Sequence, residues 1–213
     1  MEETKSYPDV REDWCQMEVA LDSVELSVGG WQVMQAWERP LMARLAREVT
    51  RNAGDILEIG FGMGISANEI AACGCDSYTV IEAHPRIADM ARDWCERQPF
   101  PASVIEGFWQ DAIEGIGQQF DGILFDTYPL SAMERGQNHF EFIPHAPALL
   151  KDSGILTLYS DETIEFRTAH MALLLASFAE VRLVRVDDLR PPDGCEYWQS
   201  STMVIPVASR PRG

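Results

Sequence analysis

From Asp55 onward, short apolar runs alternate with segments whose apolar residues recur at helical spacing. Asp55 to Ile59 is a brief apolar run that feeds straight into glycines and reads as a strand. Ile65 to Ala72 follows as a helix, Ser77 to Glu82 as a second strand and Pro85 to Cys95 as a second helix. Ala102 to Ile105 and Phe120 to Asp126 supply a third and a fourth strand. After a long polar loop the pattern predicts a helix over His139 to Leu150, a fifth strand over Gly154 to Tyr159 and a helix over His170 to Phe178. Val181 to Val186 and Thr202 to Val207 form a last pair of strands with no helix between them. Upstream, from Trp31 to about Arg51, Val33, Met34, Trp37, Leu41, Met42 and Leu45 recur at helical spacing. Pro40 interrupts them, so the spacing predicts two short helices or one kinked helix. Residues 1 to about 30 lack strong periodicity and read as an arm with short helical pieces, broken at Gly29-Gly30.

Strands that alternate with helices imply an α/β fold, a mostly parallel sheet with helices on both faces. The final strand pair implies an antiparallel edge, which brings the sheet to seven strands. Residues 1–50 are expected to act as an N-terminal arm and helical lid within the same domain, with residues 51–213 as its core. A chain of 213 residues, 46% of them hydrophobic, can bury one such core and leaves little room for a second.

Charge and cysteine usage narrow the setting. There are 34 acidic against 17 basic residues, a formal net charge of -17. That field repels nucleic acid and anionic membranes and favours the approach of a cationic substrate. No apolar run nears the roughly 18 to 20 residues that span a bilayer. The segment Met1 to Arg11 is polar and acidic, unlike a secretory signal, so a cytoplasmic protein is expected. The five cysteines are odd in number and contain no C-x-x-C pair, which points to free thiols. The four histidines have no metal-ligand spacing, and no metal site is expected. Oligomeric state is open, a homodimer among the options, and so is whether the arm covers its own site or a neighbour's.

The first chemical motif is the turn Glu58-Ile59-Gly60-Phe61-Gly62-Met63-Gly64. In open α/β sheets ligands bind at the carboxyl ends of strands, and these glycines fall there. Glu82, at the end of the next strand, is placed to accept hydrogen bonds from both hydroxyls of a ribose. The spacing E-x-G-x-G-x-G resembles the Rossmann-like class I methyltransferase motif, which implies S-adenosyl-L-methionine as cofactor. In that fold the loop Gly107-Phe108-Trp109-Gln110-Asp111 borders the adenine. Phe108 or Trp109 would pack on the ring, and Asp111 would accept from an amine or cap the next helix. The fourth strand ends in Phe125-Asp126-Thr127-Tyr128-Pro129-Leu130, which puts a carboxylate where the methyl is transferred.

Two longer blocks are more specific than the glycine turn. Val33 to Met42 and Asp121 to Leu130, with Leu57 to Met63, Val80 to Glu82 and Gly107 to Asp111 between them, resemble the guanidinoacetate N-methyltransferase family. The similarity runs from about Val33 to Leu158 and resumes weakly at Tyr159-Ser160-Asp161 and the C-terminal strands. The resemblance implies that Glu38 and Asp126 are the two guanidinium-binding carboxylates. It places Met34, Met42, the segment Phe61, Gly62, Met63, Gly64, Ile65 and Ser66, and Glu82, Ala83, His84, Phe108 and Trp109 at cofactor contacts. Glu58 in the turn and Trp14, matching an N-terminal tryptophan that closes over the cofactor, join that set; Thr127 and Tyr128 flank the acceptor beside Asp126.

The chemistry fits that implication. A guanidinium is planar, cationic and a poor nucleophile. Two carboxylates hold its N–H edges in plane, and one of them must take a proton as nitrogen attacks. Asp126, on the cofactor-side strand tip, is the expected proton acceptor, and Glu38 orients the group. The reaction implied is methylation of a small, guanidinoacetate-like guanidino compound, of the guanidinoacetate-to-creatine type. Arginine, another guanidino metabolite or protein arginine are alternatives, because the family's longer segment after the fifth strand is replaced here by Tyr159-Ser160-Asp161-Glu162-Thr163. Asp161 and Glu162 would repel an acceptor carboxylate unless they point away. Two further readings are an aminopropyltransferase on the same scaffold and a non-catalytic cofactor-binding regulator.

Overall fold

The computed structural model describes residues 8, 10–130, 141–164 and 167–212. The N-terminal region departs most from its hydrophobic pattern. A 3-10 helix over Arg11–Gln16 leads into three antiparallel strands, β1 (Val19–Leu21), β2 (Glu25–Val28) and β3 (Trp31–Gln35). Gly29 and Gly30, both at positive φ, form the two-residue turn between β2 and β3. The helix predicted from Trp31 therefore begins only at Arg39, as α1 (Arg39–Val49). Two local facts explain the correction. Trp31 and Val33 suit a strand, and pairing of Met34 with Leu26 satisfies the backbone while burying both side chains. Pro40 lies in the first turn of α1, where its missing N–H is no loss, so it starts the helix and does not kink it.

The main sheet then builds as the alternation predicts. β4 (Asp55–Ile59), α2 (Ile65–Cys73), β5 (Ser77–Glu82), α3 (Pro85–Cys95), β6 (Ala102–Glu106), α4 (Trp109–Ala112) and β7 (Phe120–Phe125) follow in order. They are succeeded by α5 (Ala146–Leu149), β8 (Leu150–Leu158), α6 (Thr168–Ser177), β9 (Phe178–Val186) and β10 (Met203–Pro211). The seven strands lie in the order β6-β5-β4-β7-β8-β10-β9. The first five are parallel, and β10 runs antiparallel to both β8 and β9, one place in from the edge. The helix predicted over His139 to Leu150 is split: Glu141 and Phe142 are helical, the turn at Ile143 to His145 interrupts, α5 follows, and Leu150 already belongs to β8. Pro144, inside that turn, accounts for the break because it has no N–H to donate, whereas Pro147 lies in the first turn of α5, where the missing N–H is no loss. His139 itself lies outside the described residues.

Each face of the sheet carries its own apolar layer. Leu41 and Leu45 of α1, Ile65 and Ile70 of α2, and Ile87 and Trp94 of α3 pack on one face, with Leu26, Val28 and Met34 of the N-terminal sheet continuing that layer. Trp109 of α4, Ala146 and Leu149 of α5 and Leu174 of α6 cover the other. At roughly 25 cal/mol per Å2 of apolar surface removed from water, each buried Leu or Ile contributes about 2 kcal/mol toward the entropy of ordering the chain. The layers hold the strand tips still, and the tips carry the chemistry. Among the described residues no helix is long and apolar enough to cross a membrane.

Candidate active site

A cavity of about 410 Å3 opens over the carboxyl ends of β4, β5 and β7, lined on one side by Gly60, Glu82 and Phe108 and on the other by Glu38, Asp126 and Tyr197. Gly60 joins the two sides. Its φ is 91°, and a Cβ there would collide with the main-chain carbonyl oxygen of Asp126. The Asp126 N–H in turn donates to the Ile59 carbonyl at 2.9 Å. The tips of β4 and β7 can therefore touch only because residue 60 lacks a side chain.

On the first side Glu82 is 7% exposed and ends β5. Its Oε2 accepts from the Phe61 N–H at 2.9 Å and its Oε1 from the His84 N–H at 2.8 Å. Burial pushes its pKa up, and these backbone donors oppose that. A carboxylate has about four lone-pair directions, so two bonds leave capacity for ribose hydroxyls. Ala83 also lines the cavity, as do Phe61, Gly62 and Met34. A Cβ on Gly62 would fill the space taken by the Met34 sulfur, 2.8 Å away. Phe108 and Trp109 follow β6; Trp109 is held edge-on by Phe125, Phe142 and His145. An acid, a turn with glycines at residues 60, 62 and 64 and a fixed aromatic wall together fit the ribose, amino-acid portion and adenine of S-adenosylmethionine.

Several expected contact residues stand behind that wall. Glu58, fully buried, accepts a hydrogen bond from the Tyr78 hydroxyl, and burial raises its pKa to about 8. Ile65 and Ser66 are buried at the start of α2. The Met63 N–H points at the Met34 sulfur, and Gly64 is the left-handed residue that caps α2. Met42 is fully buried in α1 and does not line the cavity, because that face of α1 packs into the core. His84 caps α3 through its ring, and its Nε2 meets the Met17 carbonyl at 3.0 Å.

The arm lies across the mouth of its own site. Trp14, 4% exposed, stacks on Tyr128 with ring centroids 5.6 Å apart. The Cys15 thiol reaches the Ala83 carbonyl at 3.3 Å. Arg11 pairs with Asp111 at 2.7 Å and sits over the Phe108 ring. Asp111 thus holds the arm; Phe108, not Asp111, occupies the N-cap position of α4.

On the second side Glu38 is 2% exposed. Its Oε1 accepts from the Gln35 N–H at 2.8 Å and from the Tyr197 hydroxyl at 2.6 Å. Tyr197 stacks on Trp37, whose indole N–H donates to Gln35. Desolvation, then the charge of Asp126, lifts the Glu38 pKa to about 8. Desolvation and the charge of Asp161 lift that of Asp126 to about 7. Thr127 and Tyr128 continue the wall beside Asp126. Of the two acids after β8, Asp161 lines the cavity, while Glu162 is buried against His170 Nδ1 at 2.8 Å and Arg167 Nε at 3.2 Å. Tyr159, Tyr197 and Trp198 complete this side. Sequence reasoning missed the last two because they sit in an aperiodic loop between β9 and β10; the aromatic density of Glu196-Tyr197-Trp198 was the available signal.

Comparison with known proteins agrees with this geometry. The family model described as guanidinoacetate N-methyltransferase matches residues 4–210. Protein arginine N-methyltransferase 2 of Aspergillus oryzae is 30% identical over 192 residues, covering 82% of this chain and 46% of that protein. The Saccharomyces cerevisiae protein of the same name is 32% identical over 140 residues, covering 60% and 32%. The chain thus spans less than half the length of these curated relatives. Among solved structures, spermidine synthase from Thermotoga maritima superposes with a TM-score of 0.62 at 15% identity, covering 91% of this chain and 72% of that one. An O-methyltransferase from Bacillus cereus, in complex with SAH, does so with 0.54 at 18% identity, covering 83% and 82%. These likenesses establish the fold. The family match, over nearly the whole chain, establishes the rest: the chain belongs to the guanidinoacetate N-methyltransferase family of S-adenosylmethionine-dependent methyltransferases.

Proposed function

We propose that the protein methylates a nitrogen of a guanidino group on a small molecule, with Glu38 and Asp126 as the residues that hold and deprotonate it. The observation that carries this reading is the pair itself: two nearly desolvated carboxylates from distant segments, with raised pKa values, face one cavity beside the glycine turn. Two like charges buried together are costly unless a cation joins them. A guanidinium repays that cost with two in-plane, charge-assisted contacts.

The bound cofactor supplies an electrophilic sulfonium methyl group. Glu38 is held from two sides by Gln35 and Tyr197, so its carboxylate plane is set before the acceptor arrives. Asp126, whose backbone is fixed on β4, takes the proton that the guanidinium nitrogen loses. Its raised pKa suits that transfer near neutral pH. Trp14 and Tyr128 shield the reacting atoms from water, with the arm before about residue 50 serving as the lid. Alignment of the reacting atoms at about 3 to 3.5 Å then supplies most of the acceleration. Peptidyl arginine is the second reading, favoured by the name of the relatives just described.

A panel of guanidino acceptors incubated with labelled S-adenosylmethionine, read by mass spectrometry, tests the proposal. Label on a guanidine nitrogen is the expected result. Label found only on oxygen or on a primary amine would overturn it.

A further inference from the structure

We infer that Gln32 is a positioning residue for the acceptor acid: its side-chain amide holds the loop between β9 and β10 where the Tyr197 hydroxyl meets Glu38. The inference rests on the guanidine methylation proposed above, and it gives the N-terminal sheet a duty besides covering the site.

Both hydrogen bonds to Glu38 end on one oxygen. Its Oε1 accepts from the Gln35 N–H and from the Tyr197 hydroxyl, which leaves Oε2 to the N–H of an acceptor. Two donors on Oε1 fix the carboxylate in place, whereas one alone would let it swing. The two bonds have different origins. Gln35 is three residues from Glu38, and its bond follows from the local turn. Tyr197 lies 159 residues from Glu38, so its hydroxyl arrives only if the loop that carries it is held against the N-terminal segment.

Gln32 does that holding. It lies in β3, the outer strand of the N-terminal sheet, and its side chain reaches across to the loop. The Gln32 Nε2 donates to the Gly194 carbonyl at 3.1 Å, and its Oε1 accepts from the Glu196 N–H at 2.8 Å. One amide thus pairs with the loop as a neighbouring strand would, on two residues just before Tyr197. Cys195 and Trp198 are buried in the apolar layer beneath. That burial keeps the loop down, but apolar contact has no direction and does not set where along β3 the loop stands. The paired donor and acceptor of the amide do set it. Tyr197 then stacks on Trp37 with ring centroids 6.1 Å apart, and its hydroxyl falls on Glu38 at 2.6 Å. Gln32, Gly194 and Glu196 do not line the cavity, so Gln32 acts only through Tyr197.

The test is a double-mutant cycle with guanidinoacetate and labelled S-adenosylmethionine. Gln32→Met keeps the length of the side chain and removes its amide. It should lower kcat/KM by about three- to tenfold, and by no more than Tyr197→Phe does. The double variant should be no worse than Tyr197→Phe alone, because Gln32 has nothing to hold once the hydroxyl is gone. S-adenosylhomocysteine affinity, unchanged in all three, checks that each is folded. No loss in Gln32→Met, or losses that multiply in the double variant, overturns the inference. If the wild-type protein leaves guanidinoacetate unmethylated, the reaction proposed above fails for that acceptor, and the link is read without a substrate. The Glu38 carboxyl, labelled with carbon-13, is then titrated by NMR in the ligand-free protein. The Tyr197 hydroxyl favours the ionised form of Glu38, so each single variant should move the titration midpoint up, and the double variant no further than Tyr197→Phe. A midpoint unmoved by Gln32→Met overturns the inference whatever the acceptor proves to be.

Discussion

The two sides of the cavity are built from the same kinds of atoms and differ in how they were assembled. The donor side has a local centre: Asp55 to His84 is one strand-turn-helix-strand unit, and its acid, Glu82, accepts from two backbone N–H groups of that unit, with Met34, Phe108 and Trp109 added around it. The acceptor side gathers Glu38, Asp126, Asp161 and Tyr197 from four separated segments, and its acids face one another. The donor side is therefore preorganised without its ligand, whereas on the acceptor side burial and mutual repulsion make it costly to ionise Glu38 and Asp126 together. The contrast teaches where sensitivity should lie.

The largest expected effect is at the junction. Asp126→Asn removes the proposed proton acceptor and keeps the shape. Turnover should fall by about a thousandfold, within the range that general-base removal produces. Binding of S-adenosylhomocysteine, measured by calorimetry, should change little, because its contacts lie across the cavity. A loss of cofactor affinity as large as the loss of rate would erase the division between the two sides.

Next in size is the response to pH. Glu38 and Asp126 have raised pKa values in the folded chain, about 8 and about 7. Between the unfolded carboxylate values near 4 and these, the native state binds more protons than the unfolded one. Stability of the ligand-free protein should then fall as pH rises from about 5 to 8. A tenfold difference in proton affinity between the folded and unfolded chain is worth about 1.4 kcal/mol, so the loss should reach at least about 2 kcal/mol, read from urea midpoints. Glu48 acts the other way: its burial is outweighed by Arg182, its pKa is lowered, and its contribution is lost only as pH falls below about 4.5. Activity should run opposite to stability, with kcat/KM for the acceptor rising over pH 6 to 8 as the pair ionises. S-adenosylhomocysteine with a guanidino compound should flatten the stability profile. A profile equally steep with and without them would mean that the buried pair is not where the cation binds.

Smaller again is Tyr197→Phe. It deletes the hydroxyl that fixes Glu38 and leaves the stacking on Trp37. One hydrogen bond to a charged group is worth about 1.5 kcal/mol or somewhat more, so a loss of about tenfold in kcat/KM is expected, with cofactor affinity intact. No change in either parameter would remove Tyr197 from the acceptor side.

The same contrast governs what could be read from the chain. The glycine turn, Glu82 and Asp126 were legible because each belongs to a strand tip, and strands and helices leave periodic marks. Glu38 was legible only through a resemblance, since an isolated glutamate in an apolar stretch looks solvated. The segment from Trp31 to Gln35 misled because its apolar residues satisfy helical spacing as well as a strand; pairing across the Gly29-Gly30 turn decided between them. Tyr197 and Trp198 left no periodic trace in their loop. Asp161 and Glu162 were visible as acids, but their opposite fates depend on a left-handed backbone and on His170 and Arg167, which only the assembled fold brings near.

The smallest expected effect separates the two ways the arm is fastened. Trp14 is buried on Tyr128, whereas Arg11 pairs with Asp111 at the surface, with side-chain exposures of 36% and 66%. An exposed ion pair gains little over its hydration and is screened by salt. Arg11→Ala should weaken S-adenosylmethionine binding by at most about threefold at low ionic strength, and by less at roughly 0.3 M salt. The remaining anchors, Trp14, the Cys15 thiol on Ala83 and the Met17 carbonyl on His84, still keep the arm in place. A tenfold loss that persists in high salt would instead mean that Arg11 acts through the Phe108 ring beneath it, whose contact salt screens far less. In that case the arm would belong to the donor side as a binding element, and its role as a cover over both sides would no longer explain its position.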